Sequence, residues 1–314
     1  MEFSEYYVAY FDVLGYKEAF KKSEDISAKL IESIESSVDL MKQIVSIINA
    51  PSDESIEKKT DIEYKIFSDN ILICYKKTTS SVSAIFLVSF LRLIATIQRI
   101  FFEGYHLIVR GGITKGPLYL TNDFVGGKAL IDAVGLENTT VYPRIIVADC
   151  ILNDLNSEIQ NDLQKYIIDA SCRDLLIKNA DNKSFLNYIV ALNPWIWFPK
   201  NTLQPESIES FEEFEKNVRD GRQRKPIYNP ECLKEIFVVL KKHKNFVEEK
   251  VSEFSQSLNN EAEESIRLKI LKKYLWLVSF HNKICEELYK MPDLKINLKS
   301  EFNEQTLAFD VSVG

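Results

Sequence analysis

Residues 6–13, Tyr-Tyr-Val-Ala-Tyr-Phe-Asp-Val, form an almost unbroken apolar run that ends at Gly15, the pattern of a strand covered on both faces. From Lys17 to Ile48 the period changes. Leu30, Ile31, Ile34, Val38, Met41, Val45 and Ile48 recur every three or four positions, which predicts one long helix or two. A polar break around Pro51 reads as an exposed loop. Residues 64–75, Tyr-Lys-Ile-Phe-Ser-Asp-Asn-Ile-Leu-Ile-Cys-Tyr, then predict a hairpin closing on Ser68, Asp69 and Asn70, although Asn-Gly or Asp-Gly would close it at lower cost.

A helix is predicted over about Ser81–Phe102, followed by a strand, a turn near Lys115–Pro117 and a second strand up to Leu120. Gly126 and Gly127 open another helix that ends near Glu137, and Tyr142–Asp149 reads as a further strand. Strand, helix, hairpin, helix, hairpin, helix, strand is the order of an α+β layer in which helices cover a mainly antiparallel sheet. Beyond Asp149 the character shifts. Residues 192–206 carry prolines together with Trp195 and Trp197, read as packing groups in an irregular connection. The chain from about residue 207 has charged, helical spacing and predicts two long amphipathic helices joined at Asn259 and Asn260. The expected division is a core over 1–150, an irregular connection that completes the core over 151–205, and a helical extension over 206–314.

Length and charge narrow the function. With 314 residues the chain can bury a large core, and a net charge of −7 argues against a general nucleic-acid binder. The apolar run in the 81–102 helix is broken by Arg92, Gln98 and Arg99, so it reads as core and not as a membrane span. Five cysteines at wide spacing read as reduced thiols, and no signal segment is visible, so a cytoplasmic location is expected. His106, His243 and His281 are scattered, which sets aside zinc sites and hydrolase triads.

The chemistry lies in Asp12 and Asp69. Each stands at a strand end, and the first strand and the hairpin can be neighbours in one sheet. Two carboxylates brought together beside a backbone carbonyl make a hard oxygen site suited to Mg²⁺ or Mn²⁺, and without a cation they repel. "FDVLGY" and "KIFSDN" around these residues resemble the two metal-binding motifs of the class III nucleotidyl cyclases. "RGGITKGPLY" is similar to that family's Arg-x-Gly-Ile-x-x-Gly-Pro segment, and "FVGGKALIDAVGLE" to its glycine-led helix ending in Glu. The four motifs stand in the family's order over roughly residues 6–150. The wording of "FSDN", "RGGI" and "YPRI" is similar to the divergent bacterial cyclases of Pycsar antiphage systems.

The resemblance implies a ferredoxin-like antiparallel sheet with covering helices. It implies cyclisation of a nucleoside triphosphate, UTP or CTP by the Pycsar likeness, to a 3′,5′-cyclic nucleotide and pyrophosphate. Two Mg²⁺ or Mn²⁺ ions would be held by Asp12, Asp69 and the Val13 carbonyl. It further implies a homodimer and a separate cyclic-nucleotide-responsive effector, with no membrane and no stable nucleic-acid partner. Lys65 falls where adenylate cyclases place a base-reading lysine, with Asp123 near its acidic partner, so a purine cyclase is the alternative enzyme. Ile131 and Gly135 stand where the family has a ribose-binding Asn and a transition-state Arg. A degenerate, non-catalytic scaffold is therefore a third reading. Arg110, Lys128 and Arg144 are the candidate substitute cations, with Arg144 favoured because Pro143 restrains it, and the amides at Gly126 and Gly127 are candidate phosphate donors.

Overall fold

The structure is a computed structural model that describes residues 2–16, 24–49, 62–77, 83–157, 168–169, 172–190, 230–256, 261–298 and 311–313. Strand β1 (Ser4–Val13) leads to helix α1 (Glu24–Asn49), the hairpin β2 (Ile62–Phe67) and β3 (Asn70–Lys76), helix α2 (Ser83–Tyr105), and strand β4 (Val109–Leu120). A short strand β5 (Val125–Gly126), helix α3 (Lys128–Thr139), strand β6 (Ile145–Val147) and helix α4 (Asp149–Ser157) follow. Strands β7 (Leu176–Asn179) and β8 (Ser184–Leu186) precede helices α5 (Pro230–Phe254) and α6 (Glu261–Lys283), and β9 (Val311–Val313) comes last.

These strands form one sheet in the order β2-β3-β1-β4-β6-β8-β7-β9, with β5 paired to β4. All pairings are antiparallel except that of β4 with β6. The first four strands and α1 and α2 give the β-α-β-β-α-β unit with sheet order 4-1-3-2, the ferredoxin-like topology. The fold is α+β, as expected.

Strand β1 is apolar on both faces because both are covered. Tyr7, Ala9, Phe11 and Val13 enter a cluster with the buried residues of α1 and α2, among them Ile34, Val38, Leu87, Leu91, Ile94 and Phe101. Tyr6 and Val8 face the other way, against Leu118 of β4 and Ala129 and Ala133 of α3. The two arginines of α2 are neutralised inside the protein: Arg92 pairs with Asp174 at 2.9 Å, and Arg99 pairs with Glu103 and Glu235 at 2.5 and 2.6 Å.

The expected turn near Lys115–Pro117 does not form. Strand β4 runs straight through, paired to β1 from Ser4 opposite Leu118 to Val13 opposite Val109. Gly116 and Pro117 carry a turn signal, but continuous pairing with β1 overrides it, and Gly116 packs under Ala129 instead. The real reversal is the hairpin from β4 to β5, where Thr121 N–H donates to the Phe124 carbonyl and Phe124 N–H donates to the Thr121 hydroxyl.

Lys115 is part of a charged cluster under α4. Asp154 accepts from Lys115 Nζ at 2.7 Å, from Lys77 Nζ at 2.8 Å and from the Tyr7 hydroxyl at 2.9 Å. Burial pushes the Asp154 carboxyl up, but the hydrogen bonds from Lys115, Lys77 and Tyr7 outweigh it and leave the pKa below the usual carboxylate value. A carboxyl depressed on folding adds stability that is fully present above its unfolded pKa, near 4, and lost as pH falls through the folded value. Asp154→Asn is therefore expected to cost about 2 kcal/mol at neutral pH, and the difference from the parent should shrink below pH 4. Urea denaturation at pH 7 and pH 3 measures both.

Strands β7 and β8, in the 151–205 segment, and β9, in the last segment, extend the same sheet. Trp195 and Trp197 lie outside the described residues. Helices α5 and α6 pack on the core of the same chain: Ile236, Leu240 and Val247 of α5, Leu271, Leu275 and Val278 of α6 and Ile284 just after it join Phe102, Ile177, Phe185 and Tyr188 in one buried cluster. His243 and His281, distant in sequence, meet there with Nδ1 atoms 3.1 Å apart. Among the described residues no helix is long and apolar enough to cross a membrane, and none of the five cysteines forms a disulfide.

Candidate active site at the end of the first strand

Asp12 is the penultimate residue of β1, with Asn70 opposite it on β3 and Arg110 opposite it on β4. The hairpin closes on two residues, not three: Phe67 pairs with Asn70, leaving Ser68 and Asp69 as the loop. Ser68 has φ 63 while Asp69 is not in the left-handed region, the II′ pattern in which glycine is preferred at the first position. Ser68→Gly is expected to stabilise the protein by about 0.5 kcal/mol, a gain limited by the flexibility of glycine in the unfolded chain, and a rise in thermal midpoint checks it.

The turn is bound to the strand. Val13 N–H donates to the Asp69 carbonyl at 3.0 Å. Asn70 Nδ2 donates to Asp69 Oδ1 at 3.1 Å, and Asn70 Oδ1 accepts from the Tyr10 hydroxyl at 2.6 Å. Tyr10 is two residues before Asp12 and so on the same face. Its phenol pKa is raised by burial, then by the charges of Glu137, Asp12 and Asp69.

Arg110 is the cation of this cluster. It donates from Nε to Asp12 Oδ1 at 3.1 Å, from Nη2 to Asp12 Oδ2 at 3.4 Å and from Nη1 to the Thr140 carbonyl at 3.4 Å. Glu137 Oε1 lies 2.6 Å from the same Nε. Burial works against the charge on Arg110, but Asp12 and Glu137 more than offset it and raise its pKa.

Glu137 reaches this point because α3 lies directly on β4. A methyl group at Gly112 would stand 2.4 Å from Leu136 Cβ and 2.7 Å from the Ala133 carbonyl. Gly127, before the first turn of α3, has φ 146 and its missing Cβ would meet the Pro117 carbonyl at 2.6 Å, so only glycine fits there.

The other expected residues divide. Lys65 Nζ donates to the Asn122 carbonyl at 2.6 Å, which brings it to the residue beside the exposed Asp123. Gly126 is in β5 and Gly127 caps α3, at the foot of the same helix. Lys128 is an exposed residue paired with Asp132 one turn along the helix. Arg144, favoured from the sequence, is held in direction, but toward other partners: it is 2% exposed, paired with Asp181 at 2.5 Å, and flanked by the rings of Tyr142 and Phe185. Its charge is spent on Asp181, so the cation beside Asp12 is Arg110. Ile131 and Gly135 are both exposed on α3, and a Cβ at Gly135 would meet nothing within 4 Å. Tyr10 carried no sequence signal beyond strand alternation with Asp12, Asn70 was read only as part of the turn and its motif, and Glu137 ended a motif without an assigned role.

Among the described residues, no group of three or more His, Cys, Asp or Glu side chains comes together to enclose an ion. Two carboxylates fit a hard cation that completes its shell with water and substrate phosphates, the usual manner of Mg²⁺ at phosphoryl sites.

The topology thus defines an α+β protein of ferredoxin-like connectivity with an acidic pair at one end of its central strands. No family model matches the chain, and no curated protein matches it. Among solved structures it is similar to the adenylyl cyclase CyaB from P. aeruginosa, at 10% identity and a TM-score of 0.39 over 59% of this chain and 95% of that one. It is also similar to the catalytic core of a rhodopsin-guanylyl cyclase with converted specificity in complex with ATPalphaS, at 12% identity and a TM-score of 0.40, again over 59% and 95%.

Proposed function

We propose that this chain is a metal-dependent nucleotidyl cyclase. The observation that carries the reading is the convergence of Asp12 and Asp69 at the end of β1, where the hairpin turn is bound to the strand and Arg110 stands beside the acids. Asp12, Asp69 and the Val13 carbonyl would hold Mg²⁺ or Mn²⁺, which would acidify the ribose 3′-hydroxyl and neutralise the triphosphate. Asn70 and Tyr10 hold the Asp69 carboxylate in place, and Arg110 offers positive charge for the pentavalent α-phosphate. Lys65, whose Nζ donates to the Asn122 carbonyl beside Asp123, is the proposed base contact with Asp123, and the amides at Gly126 and Gly127 are the proposed donors to phosphate oxygens.

UTP or CTP is the proposed substrate, on the wording of the four motifs, with a cyclic pyrimidine nucleotide as a signal to a separate effector in antiphage defence. A homodimer is part of the proposal. Ile131, at the missing Asn position, is 72% exposed and Phe124, before α3, is 59% exposed, and such apolar exposure supports a partner subunit there. Light scattering of active protein should give twice the chain mass, and an active monomer would refute the dimer.

A non-catalytic scaffold is favoured by one observation: Arg110 neutralises Asp12 without any ion, so the acidic pair is tolerable in a protein that binds none. Incubation with each of the four ribonucleoside triphosphates and Mn²⁺, followed by mass spectrometry, separates the readings. A cyclic pyrimidine product supports the proposal, cyclic AMP supports the purine alternative, and bound but unconverted nucleotide supports the scaffold.

A further inference from the structure

Arg110 serves two carboxylates with one N–H. Its Nε–H is aligned on Asp12 Oδ1 at 3.1 Å, while Glu137 Oε1 lies closer, at 2.6 Å from the same nitrogen, but outside hydrogen-bond alignment. A single N–H points well at one acceptor only, so a small rotation of the guanidinium exchanges one partner for the other. The two acids are not equivalent. Asp12 has 17% of its side chain exposed and stands at the strand end, whereas Glu137 has 7% exposed and is fixed on α3 against β4.

Resting on the reading of Asp12 as an ion ligand, we propose that Arg110 is a built-in counter-ion of the metal site, covering Asp12 until a divalent cation takes that carboxylate and then withdrawing onto Glu137. A cation and a guanidinium on one carboxylate repel each other at short range, and the repulsion is strong where water is partly excluded. Glu137 gives the displaced charge a place to go. Without it, Arg110 has Asp12 as its remaining carboxylate, and the incoming ion must compete with a full ion pair. Glu137 is thus a positioning residue: it touches no ion, yet it sets how readily Asp12 is released. The same movement leaves the guanidinium beside the loaded site, where a phosphate can use it.

The test is Mn²⁺ binding to the full chain, read by the electron paramagnetic resonance of the free ion, without turnover. Glu137→Gln is expected to weaken Mn²⁺ binding about tenfold and Arg110→Gln to tighten it by a similar factor, the size of an ordinary coupling between adjacent charges. In the double variant the Glu137 effect should vanish, because it acts through Arg110. A Glu137→Gln loss that persists in the Arg110→Gln background would overturn the proposal, as would single variants that bind Mn²⁺ like the parent while Asp12→Asn does not bind. Failure of the parent to bind Mn²⁺, with or without nucleoside triphosphate, would overturn the metal-site reading itself and this inference with it. Should a Glu137 or Arg110 variant not fold, the parent still decides: with ¹⁵N-labelled arginine, adding Mg²⁺ should shift one Nε–H resonance in the parent and none in Asp12→Asn. An unmoved set of resonances at saturating Mg²⁺ would refute the withdrawal.

Discussion

Asp12→Asn and Asp69→Asn are each expected to reduce cyclic-nucleotide formation by about a thousandfold or more while the protein remains folded. Asparagine keeps the shape of each side chain and one acceptor oxygen but removes the charge that holds a divalent cation, and metal stabilisation of a phosphoryl transition state is worth several kcal/mol. The fold should survive for two different reasons. At Asp12, Arg110 keeps Glu137 as its partner, so no buried charge is stranded. At Asp69, the backbone carbonyl and not the side chain accepts from Val13 N–H, so the turn stays bound. Product quantified by mass spectrometry, beside thermal midpoints within a few degrees of the parent, checks both halves. Substantial turnover in either folded variant would remove the acidic pair from the mechanism.

The second large effect separates three cations among which the sequence favoured Arg144. Arg110→Ala should lower turnover roughly a hundredfold or more, the cost of losing a charge aimed at a developing oxyanion. Arg144→Ala should instead lower stability, by about 3 kcal/mol, because it deletes a buried guanidinium paired with Asp181 and packed between Tyr142 and Phe185. Its turnover per folded molecule should stay near that of the parent. Lys128→Ala, on an exposed helical pair, should change stability by no more than about 0.5 kcal/mol and turnover hardly at all. Steady-state rates corrected for folded fraction, with urea midpoints for each variant, distinguish the cases. A turnover loss confined to Arg144→Ala would reverse the assignment.

The difference between Arg110 and Arg144 shows where the sequence stops being readable. Both follow the same local logic, a basic residue on or just before a strand and near glycine or proline, and local pattern cannot name the acid that captures each. Asp181 lies 37 positions beyond Arg144, on the far side of a helix, and Glu137 is 27 positions beyond Arg110 on the helix that returns over β4. By contrast, β1 and the β2–β3 hairpin were legible because their apolar runs are long and bounded by Gly15 and by a polar turn. The strands of three or four residues, β7, β8 and β9, are too short for a period of two to stand out. Strand β4 was misread for the opposite reason: Gly116 and Pro117 look like a turn, yet ten positions of pairing with β1 hold the segment straight.

The contact between α3 and Gly112 makes a position without any functional group a control on the chemistry. Position 112 acts as a spacer gauge, since the gap it leaves sets the height of the helix that carries Glu137 above the sheet. A single added methyl there would lift the helix by a distance comparable to the difference between a made and an unmade ion pair. Arg110 would then be left nearer to Asp12 alone, with every charged residue of the site still present. In a library of variants, this glycine would therefore score like a catalytic residue although it contributes no atom to substrate or ion, and a search for function guided by side-chain chemistry alone would pass over it.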